Sequence, residues 1–432
     1  MKKVKNGKYY FIYQATAQNK LRNLKYLHLK NLILLCTTGL CFWLSLTSLL
    51  PVLPNYIQDI GATPKQVGLV MGCFAIGLLC FRTLMGNLSD QRSRKLVISI
   101  GTFAVAAAPL GYLFTESIPL LAFLRAFHGI SIAAFTTGYS TLVVALSPPK
   151  QRGELIGYMS LVIPIGLALG PALGGFLQEQ IGYGPLFISS SIIGWLGFIL
   201  SCQINEPARE KDLTQSNKRK NIQSSSFWQT VLSPRLRIPT AILLLIGLLF
   251  GTLVTFLPLF IRHIQLDFNS GLFYTAAAIA SFAVRIYTGK ASDRYGRGIF
   301  ITGSLVCYGL SMIILASTHS SVTLIVAALL EGTGAGILLP MTIALMSDRS
   351  LDEERGRIYA ICLGGFDLGM ALGGPVLGSF ASILGYRGIF SITAILAVLA
   401  LFIFLTQSSK SFGHSLRFAT GKERDIYALK QC

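Results

Sequence analysis

The chain has 432 residues, 52% of them hydrophobic and 13% charged, with a mean hydropathy of +0.61 and a formal net charge of +19. Globular domains carry roughly 25% charged residues, so this composition excludes a soluble fold and points to a membrane protein. The positive excess would suggest nucleic acid in a soluble chain, but here it falls in loops between apolar runs, and no nucleic-acid partner is expected.

In chain order, residues 1–30 form a basic arm containing Lys2, Lys3, Lys5 and Lys8. A cleavable leader is not expected, because the first apolar run begins only after this arm. Apolar stretches close to the ~20 residues that cross a bilayer then occupy 32–54, 66–86, 96–115, 118–146, 155–178 and 184–203. Residues 204–237 are polar and read as a linker. Six further stretches follow at 238–261, 271–289, 299–317, 321–346, 358–381 and 387–406, and residues 407–432 form a tail. The expected architecture is an all-α membrane protein of twelve transmembrane helices in two six-helix bundles, 31–203 and 238–406. Lysines and arginines crowd the loops on the side of the arm, linker and tail, while the other side keeps Lys65, Arg262 and Arg387. The positive-inside rule then places both termini in the cytoplasm of a cell that carries the chain in its cytoplasmic membrane.

The two halves share landmarks at a nearly constant offset. Arg82 and Arg285, Gly86 and Gly289, Asp90 and Asp293, Gly129 and Gly332, and Arg152-Gly153 and Arg355-Gly356 are 203 residues apart. Pro54 and Pro258, and Gly170-Pro171 and Gly374-Pro375, are 204 apart. This register reads as an internal duplication. An even number of spans per repeat relates the halves by an axis along the membrane normal, as in one class of secondary transporters.

Three motifs stand out. The loop after the second span reads "GNLSDQRSRK", with Gly86, Asp90 and Arg94, and its copy after the eighth reads "GKASDRYGRG", with Gly289, Asp293, Arg294, Gly296 and Arg297. Glycine permits close helix approach, and aspartate can cap a helix or pair with arginine; a tight turn carrying topology charges is the plainer reading. In the fifth span, "GLALGPALGG" packs four glycines and a proline into ten positions. With Gly157 upstream, the set Gly157, Gly166, Gly170, Pro171, Gly174 and Gly175 follows G-x8-G-x3-G-P-x2-G-G. Such a stripe would break a helix in water but in lipid lets backbones approach. The third motif is "RAFHG", with Arg125 and His128.

These motifs resemble the major facilitator superfamily, and within it the drug:proton antiporter and sugar-efflux-like branch, over about residues 31–406. The resemblance implies the major facilitator fold. It implies that the two loop copies latch the halves together on the cytoplasmic side in the outward-open state. It also implies that the glycine stripe packs against the other half and seals the path against ions. The first loop departs from the family pattern at Gln91 and Ser93, and His128 stands where the fourth-span pattern has glutamine.

Ionisable groups deep in spans are costly and mark function, so Asp367, Glu331 and His128 are the candidates for carrying a proton, with Arg125 tuning them. Arg82 and Arg285, one turn before the loop glycines, are expected to snorkel toward the surface or to join the latch. Phe42, Trp43, Phe250 and Phe256 are the candidate substrate contacts. A phosphate-cradling G-x4-G-K-[ST] loop, zinc-spaced cysteines and histidine pairs are missing from the sequence, so neither enzymatic activity nor a cofactor or metal is expected. The span interiors hold almost no Asn or Gln to replace the water bonds of a sugar. The expected function is export of small lipophilic or amphipathic compounds by proton antiport, the chain acting as a monomer in the bilayer. An importer or facilitator on the same fold, or a receptor that transports nothing, is the alternative.

Overall fold

In the computed structural model of the chain, residues 29–148, 152–206, 229, 231–351 and 354–429 are described. Most of the basic arm and of the linker therefore lies outside the described residues. Twelve helices are long and apolar enough to cross a membrane: α1 Leu29–Asp59, α2 Pro64–Gln91, α3 Arg94–Leu113, α4 Ile118–Leu146, α5 Gly153–Ile181, α6 Tyr183–Gln203, α7 Arg237–His263, α8 Ser270–Gly289, α9 Arg297–Ser317, α10 Ser321–Asp348, α11 Arg357–Gly378 and α12 Ala381–Gln407. Helix α8 continues to Tyr295. A thirteenth, short helix α13, Phe412–Ala419, follows α12. An even number of crossings brings Leu29 and Gln407 to one face of the molecule, called the terminal face below.

Local chemistry sets the helix ends. The Thr63 hydroxyl accepts from the Gln66 amide while the Gln66 side chain accepts from the Thr63 amide, a capping box that starts α2. Asn269 starts α8 by accepting from the Gly271 amide at 2.8 Å. In α1, Pro51 and Pro54 remove amide donors and crowd the preceding turn, and the helix loosens into turns before resuming at Leu53.

The twelve helices pack as two bundles, α1–α6 and α7–α12. Small polar side chains hold helices together inside a bundle, as lipid gives no hydrophobic drive for association. Ser45 and Ser190 bond α1 to α6, and the Ser191 hydroxyl donates to the Ala106 carbonyl of α3. Apolar side chains that face outward, such as Phe123, Ile192 and Ile395, are exposed and form the surface offered to lipid.

The halves meet at two matching seams, α2 with α11 and α5 with α8. A Cβ on Gly68 would fall on the Gly374 carbonyl, and one on Gly271 on the Pro171 carbonyl. The Thr275 hydroxyl donates across the second seam to the Ala168 carbonyl at 2.6 Å. Paired landmarks occupy paired places. Gly129 lets α4 rest on the Phe74 carbonyl of α2, and Gly332 lets α10 rest on the Ala277 carbonyl of α8.

Candidate functional site

A cavity of 270 Å³ lies between the bundles, lined by residues of α1, α2, α4 and α5 on one side and of α7 and α11 on the other. Its wall is mostly apolar: Trp43, Met71, Phe74, Phe250, Phe366 and Met370. Charge enters it at three residues, Arg82, Arg125 and Asp367. Arg82 of α2 and Asp367 of α11 meet at 2.8 Å, off the line of an ideal hydrogen bond, and so join the two halves across the cavity. Asp367 is buried, whereas the Arg82 side chain keeps 32% of its surface. The sequence expectation that Arg82 snorkels to the surface or joins the latch is corrected here: its partner is a carboxylate in the other half, on the cavity. Arg285, its counterpart, finds no matching acid in the same register, because residue 164 is Pro164 and lies in α5.

Arg125 is buried, with its guanidinium over the Phe74 ring, 4.5 Å from the centroid. Its Nη1 lies 3.5 Å from His128 Nδ1, which is also 3.1 Å from the Tyr112 hydroxyl. A guanidinium can only donate, so Nδ1 is the accepting nitrogen. His128 thus stands behind Arg125, outside the cavity lining, at the head of a polar chain running to Tyr112. Glu331 lies elsewhere, buried inside the second bundle, with one carboxylate oxygen lacking a hydrogen-bond partner among the described residues. Of the four expected coupling residues, the fold brings Asp367 and Arg125 to the cavity and leaves His128 and Glu331 off it.

Of the four expected aromatic contacts, Trp43 and Phe250 line the cavity. Phe42 and Phe256 do not. Phe42 stacks on Phe135 at 3.8 Å within the first bundle, and Phe256 packs beside Tyr386. Successive residues of a helix point about 100° apart, so Phe42 and Trp43 cannot share one face. Phe74 and Phe366 fill the wall instead.

The glycine motif divides between two neighbours. A Cβ on Gly166, Gly170 or Gly174 would collide with Trp43, Thr47 or the Ser48 carbonyl of α1, in the same bundle. The implied packing of this stripe against the other half is therefore corrected. Contact with α8 comes from the next face of α5, through Ala168, Pro171 and Gly175, the last against Asn269. Gly157 has open space around it.

The two loop copies fold differently. Gly296 takes a φ of 86°, which favours glycine, between α8 and α9. Ser93 stands at the equivalent place with an extended backbone and caps α3 by accepting from the Leu96 amide. Glu206, at the start of the linker, accepts from the Ser93 hydroxyl and from the Arg94 and Lys95 amides, a carboxylate on a helix N-terminus. In the second copy Asp293 pairs with Arg297 at 2.6 Å, and Arg297 also approaches Asp348 at 3.5 Å, all within one half. Arg294 lies over the Tyr295 ring. A Cβ on Gly86 or Gly289 would meet nothing within 4 Å, so neither glycine sits at a close approach in this conformation.

On the face opposite the termini the halves are closed against each other. Asp59 of α1 pairs with Arg262 of α7 and accepts from the Tyr183 hydroxyl. The Gln58 amide donates to the Tyr386 hydroxyl at 3.3 Å, and the Ser270 hydroxyl to the Pro51 carbonyl at 3.3 Å. The cavity lies on the terminal side of this closure.

The sequence model of the Major Facilitator Superfamily matches residues 35–302 and 263–428. The chain belongs to this superfamily. Its relatives include an uncharacterized MFS-type transporter of Methanocaldococcus jannaschii, 23% identical over 85% of this chain and 96% of that one. The multidrug resistance protein MdtG of Serratia proteamaculans is 25% identical over 84% of this chain and 88% of its own. The quinolone resistance protein NorA of Staphylococcus aureus is 28% identical over 44% of this chain and 50% of its own. Among solved structures, the nucleoside transporter NupG aligns with a TM-score of 0.74 at 14% identity, covering 88% of this chain and 99% of that one. A bacterial homologue of the lysosomal transporter Spinster, solved inward-facing and unoccupied, aligns at 0.68 and 14%, covering 92% of this chain and 98% of that one. This superfamily member is thus a multi-pass membrane transporter.

Proposed function

We propose that this transporter exports small lipophilic or amphipathic compounds across the cell membrane in exchange for protons, working as a monomer by alternating access. The observation that carries the reading is the cavity: an aromatic and thioether wall with a buried carboxylate, Asp367, whose partner across it is an arginine of the other half. An apolar wall favours apolar ligands because burying unpaired polar groups is costly. The multidrug relatives support the same substrate class. The basic loops of the terminal face support a cytoplasmic position for that face and both termini. The conformation described above is then closed to the outside.

In the proposed cycle a proton reaching Asp367 removes its charge and releases Arg82, so the α2–α11 seam is free to shift as the halves rock about the cavity. Arg125 tunes the carboxylate, and Glu331 and His128 are secondary carriers. Gly86, Asp90 and Arg94, with Gly289, Asp293, Arg294, Gly296 and Arg297, form the cytoplasmic latch that engages when the outside opens. The linker 204–237 joins two bodies that move relative to each other.

Everted membrane vesicles test the function. Energising them is expected to drive accumulation of a lipophilic fluorescent dye, with loss of accumulation when a protonophore collapses the gradient. Equal movement without a gradient would favour a facilitator, and no movement of any probe a receptor.

The closure on the outer face gives a second expectation. An exposed ion pair is worth at most about 1 kcal/mol, so Asp59→Asn with Arg262→Gln should open the outer face by up to about fivefold. The readout is labelling of Leu50→Cys, a cavity-wall position, by an impermeant maleimide in intact cells, against the same protein without that cysteine. Unchanged labelling would remove this pair from the gate.

A further inference from the structure

The tail is not a free appendage. Arg349, at the end of α10, is 1% exposed and holds Asp425 with Nε at 2.6 Å and Nη2 at 2.8 Å. The same guanidinium donates to the Arg235 and Ser408 carbonyls at 2.8 and 3.1 Å and lies over the Tyr427 ring. Thr302 of α9 bonds the Ala419 carbonyl, and the Leu429 amide donates to the Asp348 carbonyl. This network fixes helix α13, and therefore fixes which way each of its faces points.

We propose that α13 is an interfacial helix that binds the headgroups of anionic phospholipids on the terminal face. Three faces of the helix carry the inference. Ser415, Phe418 and Ala419 are buried against the second bundle. Phe412 and Leu416, one turn apart, are 63% and 41% exposed and form an apolar face beside the buried one. Arg417 lies further round, with 55% of its side chain exposed and Glu423 at 3.6 Å, and His414 also pairs with Glu423 at 2.8 Å. Lys410 just before the helix and Lys422 just after it are exposed. An apolar strip between a protein-facing face and a cationic one is the arrangement of a helix lying in the headgroup layer.

Depth argues the same way. Past a break at Gly385, where φ is 65°, α12 runs from Tyr386 to Gln407, about 33 Å at 1.5 Å per residue, which crosses the hydrocarbon core of a bilayer and ends in the headgroup layer. Only Ser408–Ser411 separate its end from Phe412, and the Thr302 bond ties the far end of α13 to α9, so α13 stays beside that layer. Lysine and arginine near an anionic surface are attracted to it.

The test uses the full chain in nanodiscs of phosphatidylcholine, with or without phosphatidylglycerol. Phosphatidylglycerol is expected to raise the thermal unfolding midpoint by a few degrees. The variant Lys410→Gln/Arg417→Gln/Lys422→Gln is expected to lose most of that rise. A rise that survives in the variant, or no rise in the parent, overturns the charge assignment. Separately, Phe412→Trp and Leu416→Trp should each add fluorescence that acyl-brominated lipid quenches, whereas the fluorescence added by Arg417→Trp should resist it. Equal quenching at all three positions, or none at Phe412 and Leu416, would show that the helix does not lie in the membrane surface.

Discussion

Asp367→Asn is expected to abolish gradient-driven export while leaving substrate binding and protein abundance close to normal. The amide keeps the shape and the capacity to bond but neither takes up a proton nor attracts Arg82. Removing one partner of a fully buried pair typically costs about 3–5 kcal/mol, because a charge is left unpaired. Here the cost is smaller: the Arg82 side chain keeps 32% of its surface and can turn toward cavity water. Export in energised everted vesicles should therefore fall to the level of empty membranes, while equilibrium binding of the same dye to purified protein stays within about threefold, less than 1 kcal/mol. Arg82→Gln should slow export without uncoupling it, since Asp367 still titrates. Full gradient-driven export by Asp367→Asn would transfer the proton to Glu331 or His128 and remove the ion pair from the mechanism.

The second large effect belongs to the fifth span, and the three alanine substitutions should rank by what the added methyl meets. Gly174→Ala drives a methyl onto the Ser48 carbonyl of α1, a backbone atom that cannot turn aside. Overpacking costs about 1–3 kcal/mol and more where nothing can give, so this variant should be recovered poorly and melt several degrees lower. Gly170→Ala meets the Thr47 hydroxyl, which can rotate away and forfeit its 2.8 Å bond to the Gly166 carbonyl, a loss of about 1 kcal/mol. Gly157→Ala, with open space around it, should be neutral. Thermal unfolding of the three purified variants gives the ranking; three equal midpoints would place the stripe toward lipid.

Much of the fold was legible in the chain. Hydropathy is a property of each residue and its solvent, so twelve apolar runs located twelve helices, with ends within a few residues of those found. The common offset between the halves reported the two-bundle duplication, and the loop and glycine motifs pointed to the superfamily. The departure at Ser93 coincides with a different turn, which closes by a serine cap and Glu206 where its copy uses Gly296 at positive φ.

Which residues face each other was decided only in three dimensions. A span that is apolar all round carries no periodic mark of its rotation, so nothing in the sequence distinguished Trp43, on the cavity, from Phe42, stacked behind it. For the same reason the glycine stripe gave its spacing but not its neighbour, which is α1 of its own bundle. The pair Arg82–Asp367 and the clamp Arg349–Asp425 join groups far apart in sequence. Charges in apolar surroundings must find partners to offset desolvation, and the partner available is whatever the packing of distant helices brings within reach.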